Sequence, residues 1–112
     1  MKKNRHTNAF ILLVLEELSV AYGAQIFSHL QSEIPHCLSD SPSVYRALQE
    51  MEAKKWVKSD WESTQTGPPR KWYKITPEGR TALHDYAEDI TQRQANLTFF
   101  LKHYAALNRT NP

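Results

Sequence analysis

Gly67-Pro68-Pro69-Arg70-Lys71-Trp72-Tyr73-Lys74-Ile75-Thr76-Pro77-Glu78-Gly79-Arg80 compresses three structural signals into one short run. Gly and Pro set a loop tip, since glycine tolerates unusual backbone angles and proline fixes its own. The next six residues alternate long basic and apolar side chains, as a half-buried strand does. Thr76-Pro77 then supplies the residue types preferred at a helix N-cap and first helical position. Lys and Arg on a protruding hairpin have a common partner in the phosphate backbone of nucleic acid. The run is therefore read as a DNA-binding wing.

Alternation puts Lys71, Tyr73 and Ile75 on one strand face and Arg70, Trp72 and Lys74 on the other. Tyr73 and Ile75 are expected in the core, with Lys71 leaving that face near the loop. Arg70 and Lys71 are the expected phosphate contacts and Lys74 the third candidate; the plainer alternative is a charged edge that discourages strand aggregation. Residues 56–62 are rich in aromatic and β-favouring side chains and form the expected partner strand, joined through residues 63–69. Trp56, Trp61 and Trp72 are read as packing residues.

Upstream, three helices are predicted. Thr7 or Asn8 caps the first, whose Phe10, Ile11, Val14, Leu15 and Leu18 form one apolar stripe. Ile26, Phe27 and Leu30 carry a second helix to about Glu33, stopped by Pro35. Ser41 is the expected cap of a third, with Pro42 at its first position and Val44, Ala47, Leu48 and Met51 facing inward. Arg46 and Gln49 lie three apart on its outer face, where both can reach base edges: arginine suits guanine and glutamine adenine. Ser41 and Ser43 at the helix start can donate to phosphate. An ordinary solvated helix face is the alternative. A first strand reduced to a stub is expected near Ala21 or Ser39.

Downstream, one helix is predicted over about residues 77–107. With Leu83 as heptad position a, the a positions are Leu83, Ile90, Leu97 and Tyr104 and the d positions Tyr86, Arg93, Phe100 and Leu107. Such a helix is longer than a body this small can cover, so its far half is expected against a second copy; the alternative is a fold-back onto the first helix. Leu83, Tyr86, Ile90, Leu97, Phe100, Leu101, Tyr104 and Leu107 are the expected dimer interface. Phe99, Phe100 and Tyr104 can also sandwich a flat ligand across a two-fold axis, although a plain dimer core needs the same stripe.

The fold class is mainly α with a small β-hairpin: a winged helix-turn-helix (1–76), a dimerisation helix (77–108) packed with it as one unit, and a tail (109–112). The 112 residues suit a single domain, and 40% hydrophobic with 23% charged residues is the composition of a soluble protein. The net charge of +2 is weak, yet residues 41–80 hold eight Lys/Arg against five Asp/Glu, so the positive excess sits in the middle. Lys2, Lys3 and Arg5 form a basic arm that reaches toward DNA in this reading. No apolar run is long enough for a membrane span, and Glu16 and Glu17 cut short a faint imitation of a secretory signal. The single Cys37 suits a reducing cytoplasm.

Pro42-Ser43-Val44-Tyr45, Leu48, Met51-Glu52, Trp56-Val57, the run from Gly67 to Arg80 and Leu83 together resemble the PadR family of bacterial winged-helix regulators. The single terminal helix is similar to the short branch of that family. The resemblance implies a homodimer on an inverted-repeat operator in double-stranded DNA, usually repressing, with a small planar aromatic effector in several members. Tyr45 matches the family tyrosine near the DNA backbone, and Arg70 with Lys71 match the basic wing. The glycine that usually closes the third helix is Lys55 here, so either a left-handed lysine or a different helix end is expected.

No catalytic chemistry is expected. The chain has one Cys, no nucleophile motif and no phosphate loop, and His6, His29, His36, His84 and His103 lack zinc-site spacing. Neither a cofactor nor a metal is implied. A winged-helix protein-interaction module and an architectural or replication-related DNA-binding dimer are the competing readings.

Overall fold

The computed structural model describes residues 6–37, 39–63 and 66–110, with side chains as far as 107. The basic arm at Lys2, Lys3 and Arg5 lies outside the described residues. The order of elements is α1 (Thr7–Leu18), β1 (Ala21–Tyr22), α2 (Gly23–Glu33), α3 (Ser41–Ala53), β2 (Val57–Glu62), β3 (Arg70–Ile75) and α4 (Pro77–Thr110). β3 is the central strand of an antiparallel sheet ordered β1-β3-β2, so the strand stub falls at Ala21.

Alternation along β3 puts Tyr73 and Ile75 into the core, where they meet Ile11, Leu15, Ile26, Val44, Leu48, Met51 and Val57. Lys74 points out, directly opposite Lys58, and Arg70 stands opposite Glu62 at the far end of the hairpin. α1 is more deeply enclosed than one stripe implies. Leu12 is fully buried whereas Phe10 keeps 37% of its surface exposed, because α2, α3, β3 and the first half of α4 all pack around this helix.

Two caps differ from the expectation. Asp40, rather than Ser41, caps α3: its carboxylate accepts from the Ser43 N–H at 2.9 Å, leaving Ser41 and Pro42 inside the first turn. An ionised acceptor at the positive end of a helix dipole is favoured over a hydroxyl, and Pro42 has no N–H to satisfy. α1 begins at Thr7 after His6, without a side-chain cap, and the Thr7 hydroxyl instead hydrogen-bonds Ser39 Oγ at 2.8 Å.

The junction between α3, the hairpin and α4 is a knot of hydrogen bonds centred on Thr76. α3 closes with Lys55 in the left-handed region at φ 65°, where a glycine would be unstrained. The Trp56 N–H then returns to Met51 O at 2.9 Å, and the Trp56 carbonyl accepts from the Thr76 N–H at 3.0 Å. The Thr76 hydroxyl donates to Lys55 O at 2.6 Å and accepts from the Gly79 N–H at 3.0 Å, which makes it the N-cap of α4. Gly79 is required by closeness: a Cβ there would lie 2.0 Å from Trp56 O.

At about 1.5 Å per residue the 34-residue α4 is roughly 51 Å long, which accounts for molecular extents of 66 × 28 × 23 Å. It continues to Thr110, beyond the expected end near Leu107, and does not fold back. Leu83 and Tyr86 pack on the core, with the Tyr86 ring edge-on to Trp56 at 6.2 Å. Arg80 is bound to Glu16 of α1 at 2.8 Å. Asp89 receives Arg93 at 2.8 Å and lies 3.6 Å from His6.

Candidate nucleic-acid interface

α3 and the hairpin present one continuous surface. Val44, Ala47, Leu48 and Met51 turn inward on α3, which leaves Tyr45, Arg46, Gln49 and Glu50 exposed on its other side. Arg46 and Gln49 are therefore both on the solvent face, one turn apart. Tyr45 leans on the first residue of α2, where a Cβ on Gly23 would approach its ring to 2.3 Å; the absence of a side chain at Gly23 gives the ring its seat. Ser41 and Ser43 are half-buried at the α3 start. The Asp40 carboxylate occupies the N-terminal anion position there, and its hydrogen bonds from Ser43 hold it below the ordinary 3.8. A phosphate approaching α3 thus meets Ser41 and Ser43 beside an existing negative charge.

Between α3 and the hairpin lies a cleft of about 400 Å³ lined by residues including Tyr22, Tyr45, Gln49, Trp61 and Arg70. The Arg70 guanidinium sits 4.7 Å above the Tyr22 ring, and Tyr22 is edge-on to Trp72 at 5.0 Å. A cation supported from below by an aromatic face keeps its outer N–H groups available. Among the described residues, neither Arg70 nor Lys74 forms an ion pair. Lys74 and Lys58 face each other across β3 and β2, a like-charge pairing that costs stability and concentrates positive potential.

Lys71 is placed differently from its neighbours. Its ammonium is 3.0 Å from Glu52 Oε1, and the Ser59 hydroxyl donates to the other carboxylate oxygen. The Ser59 hydrogen bond, then Lys71, holds Glu52 below its ordinary 4.5 against the opposing effect of burial. Glu52 in turn raises Lys71 above its ordinary 10.5.

Of the three tryptophans, Trp56 and Trp72 are half-buried packing residues, whereas Trp61 is 67% exposed because the hairpin extends past the core at that point. Glu52, Tyr22, Lys58 and Asp40 belong to this surface although the sequence assigns none of them a role in it. Only Asp40 had a local signal, as a cap-forming residue just before Ser41-Pro42. The loop residues 64 and 65 lie outside the described residues.

On α4 the expected interface residues occupy two environments. Leu83, Tyr86 and Ile90 are half-buried, while Leu97, Phe100, Leu101, Tyr104 and Leu107 are exposed. Phe99 also faces solvent, beside His103 at 4.1 Å, and Phe100 stacks parallel to Tyr104 at 6.1 Å. Among the described residues, no group of three His, Cys, Asp or Glu could hold a metal ion, and no helix is long and apolar enough to cross a membrane.

Three helices, with a stub strand between the first two, followed by a basic hairpin whose second strand is the centre of the sheet, define a winged helix-turn-helix protein with an appended long helix. Residues 11–85 match the Transcriptional regulator PadR-like family. The chain belongs to that family. Its structure is similar to a PadR family transcription regulator from Clostridium difficile R20291, with a TM-score of 0.73 and 26% identity over 86% of this chain and 98% of that one. It is also similar to a PadR family regulator from Eggerthella lenta, with a TM-score of 0.67 and 25% identity over 81% and 80% of the two chains. The likeness to Bacillus subtilis PadR, solved in complex with operator DNA, is one of fold: TM-score 0.68 and 21% identity over 75% of this chain and 48% of that one. No match is found among curated proteins.

Proposed function

We propose that this PadR-like regulator is a cytoplasmic homodimer that binds an inverted-repeat operator and represses transcription from it. The observation that carries this reading is the pairing of an exposed Arg46 and Gln49 with an adjacent wing whose Arg70 is ring-supported and free of ion pairs among the described residues. In this reading α3 enters the major groove, Arg46 and Gln49 read base edges, and Ser41, Ser43 and Tyr45 meet the flanking phosphates. The wing binds the backbone through its cations Arg70 and Lys74, while Lys71, the remaining cation of the strand, is bound to Glu52. Residues 1–76 are the reading head and 77–108 the dimerisation helix, joined by Leu97, Phe100, Leu101, Tyr104 and Leu107 against their equivalents in a second copy. Any planar aromatic effector is placed at Phe99, Phe100 and Tyr104, where it changes the separation of the two heads.

Gel retardation on the chain's own upstream DNA tests this. Specific, salt-sensitive binding is expected. Arg46→Ala should weaken the specific complex by about 1–3 kcal/mol, and Arg70→Ala should weaken all sequences alike. No retardation at low salt removes the reading in favour of a winged-helix module that docks to protein.

A further inference from the structure

We propose that Glu52 is a positioning residue for the wing: its carboxylate ties the end of α3 to both hairpin strands, and by holding Lys71 it withdraws that ammonium from phosphate contact. The inference rests on the DNA-binding reading above and assigns its wing contacts to Arg70 and Lys74.

Both oxygens of the Glu52 carboxylate are engaged across the junction. One binds Lys71 Nζ on β3 at 3.0 Å, and the other accepts from Ser59 on β2. The Lys71 ammonium also lies 5.3 Å from the Tyr73 ring centroid and 5.7 Å from that of Trp61. It is thus boxed by a carboxylate and two aromatic rings, and its side chain is only 28% exposed. A phosphate reaching Lys71 would have to displace Glu52 or lie beside its negative charge, and like charges at such separations repel. Arg70, one residue earlier, lies over Tyr22 with no carboxylate paired to it among the described residues.

The location explains the purpose of the tether. The hairpin base is fixed by Val57, Tyr73 and Ile75 in the core, while Trp61, Glu62 and Arg70 stand in solvent. The rungs Ser59↔Tyr73 and Trp61↔Lys71 lie between base and tip. Glu52, on the last turn of the helix that carries Arg46 and Gln49, grips the hairpin at those rungs. The angle between wing tip and reading helix is fixed there.

The test compares the wild type with Arg70→Met, Lys71→Met and Glu52→Gln. The salt dependence of binding is measured on the upstream region and on a random duplex of equal length, and hydrogen exchange of the hairpin amides is followed without DNA. Each lost phosphate contact should reduce the slope of log K against log salt by about 0.9, so a substitution carried by both copies of the dimer should reduce it by about 1.8. That reduction is expected for Arg70→Met. Lys71→Met should leave the slope unchanged while lowering the preference for upstream over random DNA several-fold. Glu52→Gln should free Lys71 in both copies, steepen the slope by about 1.8, tighten random binding and speed exchange in the hairpin. The swap of both charges, Glu52→Lys with Lys71→Glu, should recover preference lost in either single change. A slope reduction in Lys71→Met equal to that in Arg70→Met overturns the proposal, as do unchanged slope and exchange in Glu52→Gln. Should Glu52→Gln fail to fold, the Lys71→Met slope decides alone. A wild-type chain that retards no duplex instead sinks the DNA reading and the phosphate assignment, while hairpin exchange still decides the tether.

Discussion

Leu83 and Tyr86, in the first turns of α4, rest half-buried on the chain's own core, whereas Leu97, Phe100 and Tyr104 at equivalent heptad positions farther along are 63%, 61% and 53% exposed. The spacing is the same and the surroundings are opposite. A heptad records that one face of a helix is apolar and is silent on what covers it. In the first half the cover is α1 and Trp56. In the second half the described residues of the chain leave that face open, and exposed Leu, Phe and Tyr side chains spaced along one helix form a contiguous apolar surface of the kind that marks an interface.

The largest expected effect lies in the far half. Leu97→Asp combined with Phe100→Asp should abolish self-association in sedimentation while leaving the melting of the body nearly unchanged. Burying a Leu or Phe contributes about 1.5–3 kcal/mol each, and a two-fold interface uses each residue twice, so the loss is several orders of magnitude in affinity. A wild type that sediments as single chains at micromolar concentration breaks the comparison outright. Next comes Gly79→Ala in the near half. The added methyl would lie 2.0 Å from the Trp56 carbonyl oxygen, and backbone cannot swing aside as a side chain can. Urea unfolding should show a loss of about 3 kcal/mol or more, with assembly through the far half retained in whatever fraction stays folded.

Thr76→Ala should cost less, about 1–2 kcal/mol, because it removes an N-cap and leaves the Gly79 N–H and Lys55 carbonyl without their partner. Loss of stability without loss of dimer sharpens the distinction between halves. The smallest effect is expected at Asp89, where the halves meet. Arg93 first, and His6 less, hold its carboxyl below the ordinary 3.8. A depressed carboxyl contributes stability above its unfolded value, and that contribution disappears as pH falls through the folded one. Any gap in melting temperature between the wild type and Asp89→Asn should therefore narrow as pH drops below 3.8. A gap independent of pH removes the ionic account of this contact.

How much of this was legible in the sequence follows the reach of each interaction. The hairpin strand Arg70–Ile75 and the Thr76-Pro77 helix start are encoded by neighbouring residues, and the structure places them as read, while of the two positions open to the stub strand, Ala21 and Ser39, it takes Ala21. The cap of α3 lies one residue before the position expected from sequence, since Asp40 and Ser41 both have suitable side chains and only geometry shows which oxygen reaches the Ser43 N–H. Thr7 has the side chain of a cap, but its hydroxyl bonds Ser39, a distant part of the chain that no local pattern announces. The burial of Leu12 and the exposure of Trp61 depend on how many layers surround a position, which periodicity does not encode. The site divides in the same way. The outward face of α3 followed from its apolar stripe, but the grip of Glu52 on Lys71 and the Tyr22 ring beneath Arg70 are tertiary, with nothing local to announce them.

After Gly79, α4 runs to Thr110 without another glycine or any proline, so no hinge interrupts it. Such a rod acts as a lever. A tilt of about 5° at its distal end displaces the first turn by roughly 4 Å over a ~51 Å arm, more than the length of a hydrogen bond. The Thr76 knot clamps that first turn to the end of α3, so in the proposed dimer a small angular change between the two rods becomes a whole-contact displacement at Arg46 and Gln49.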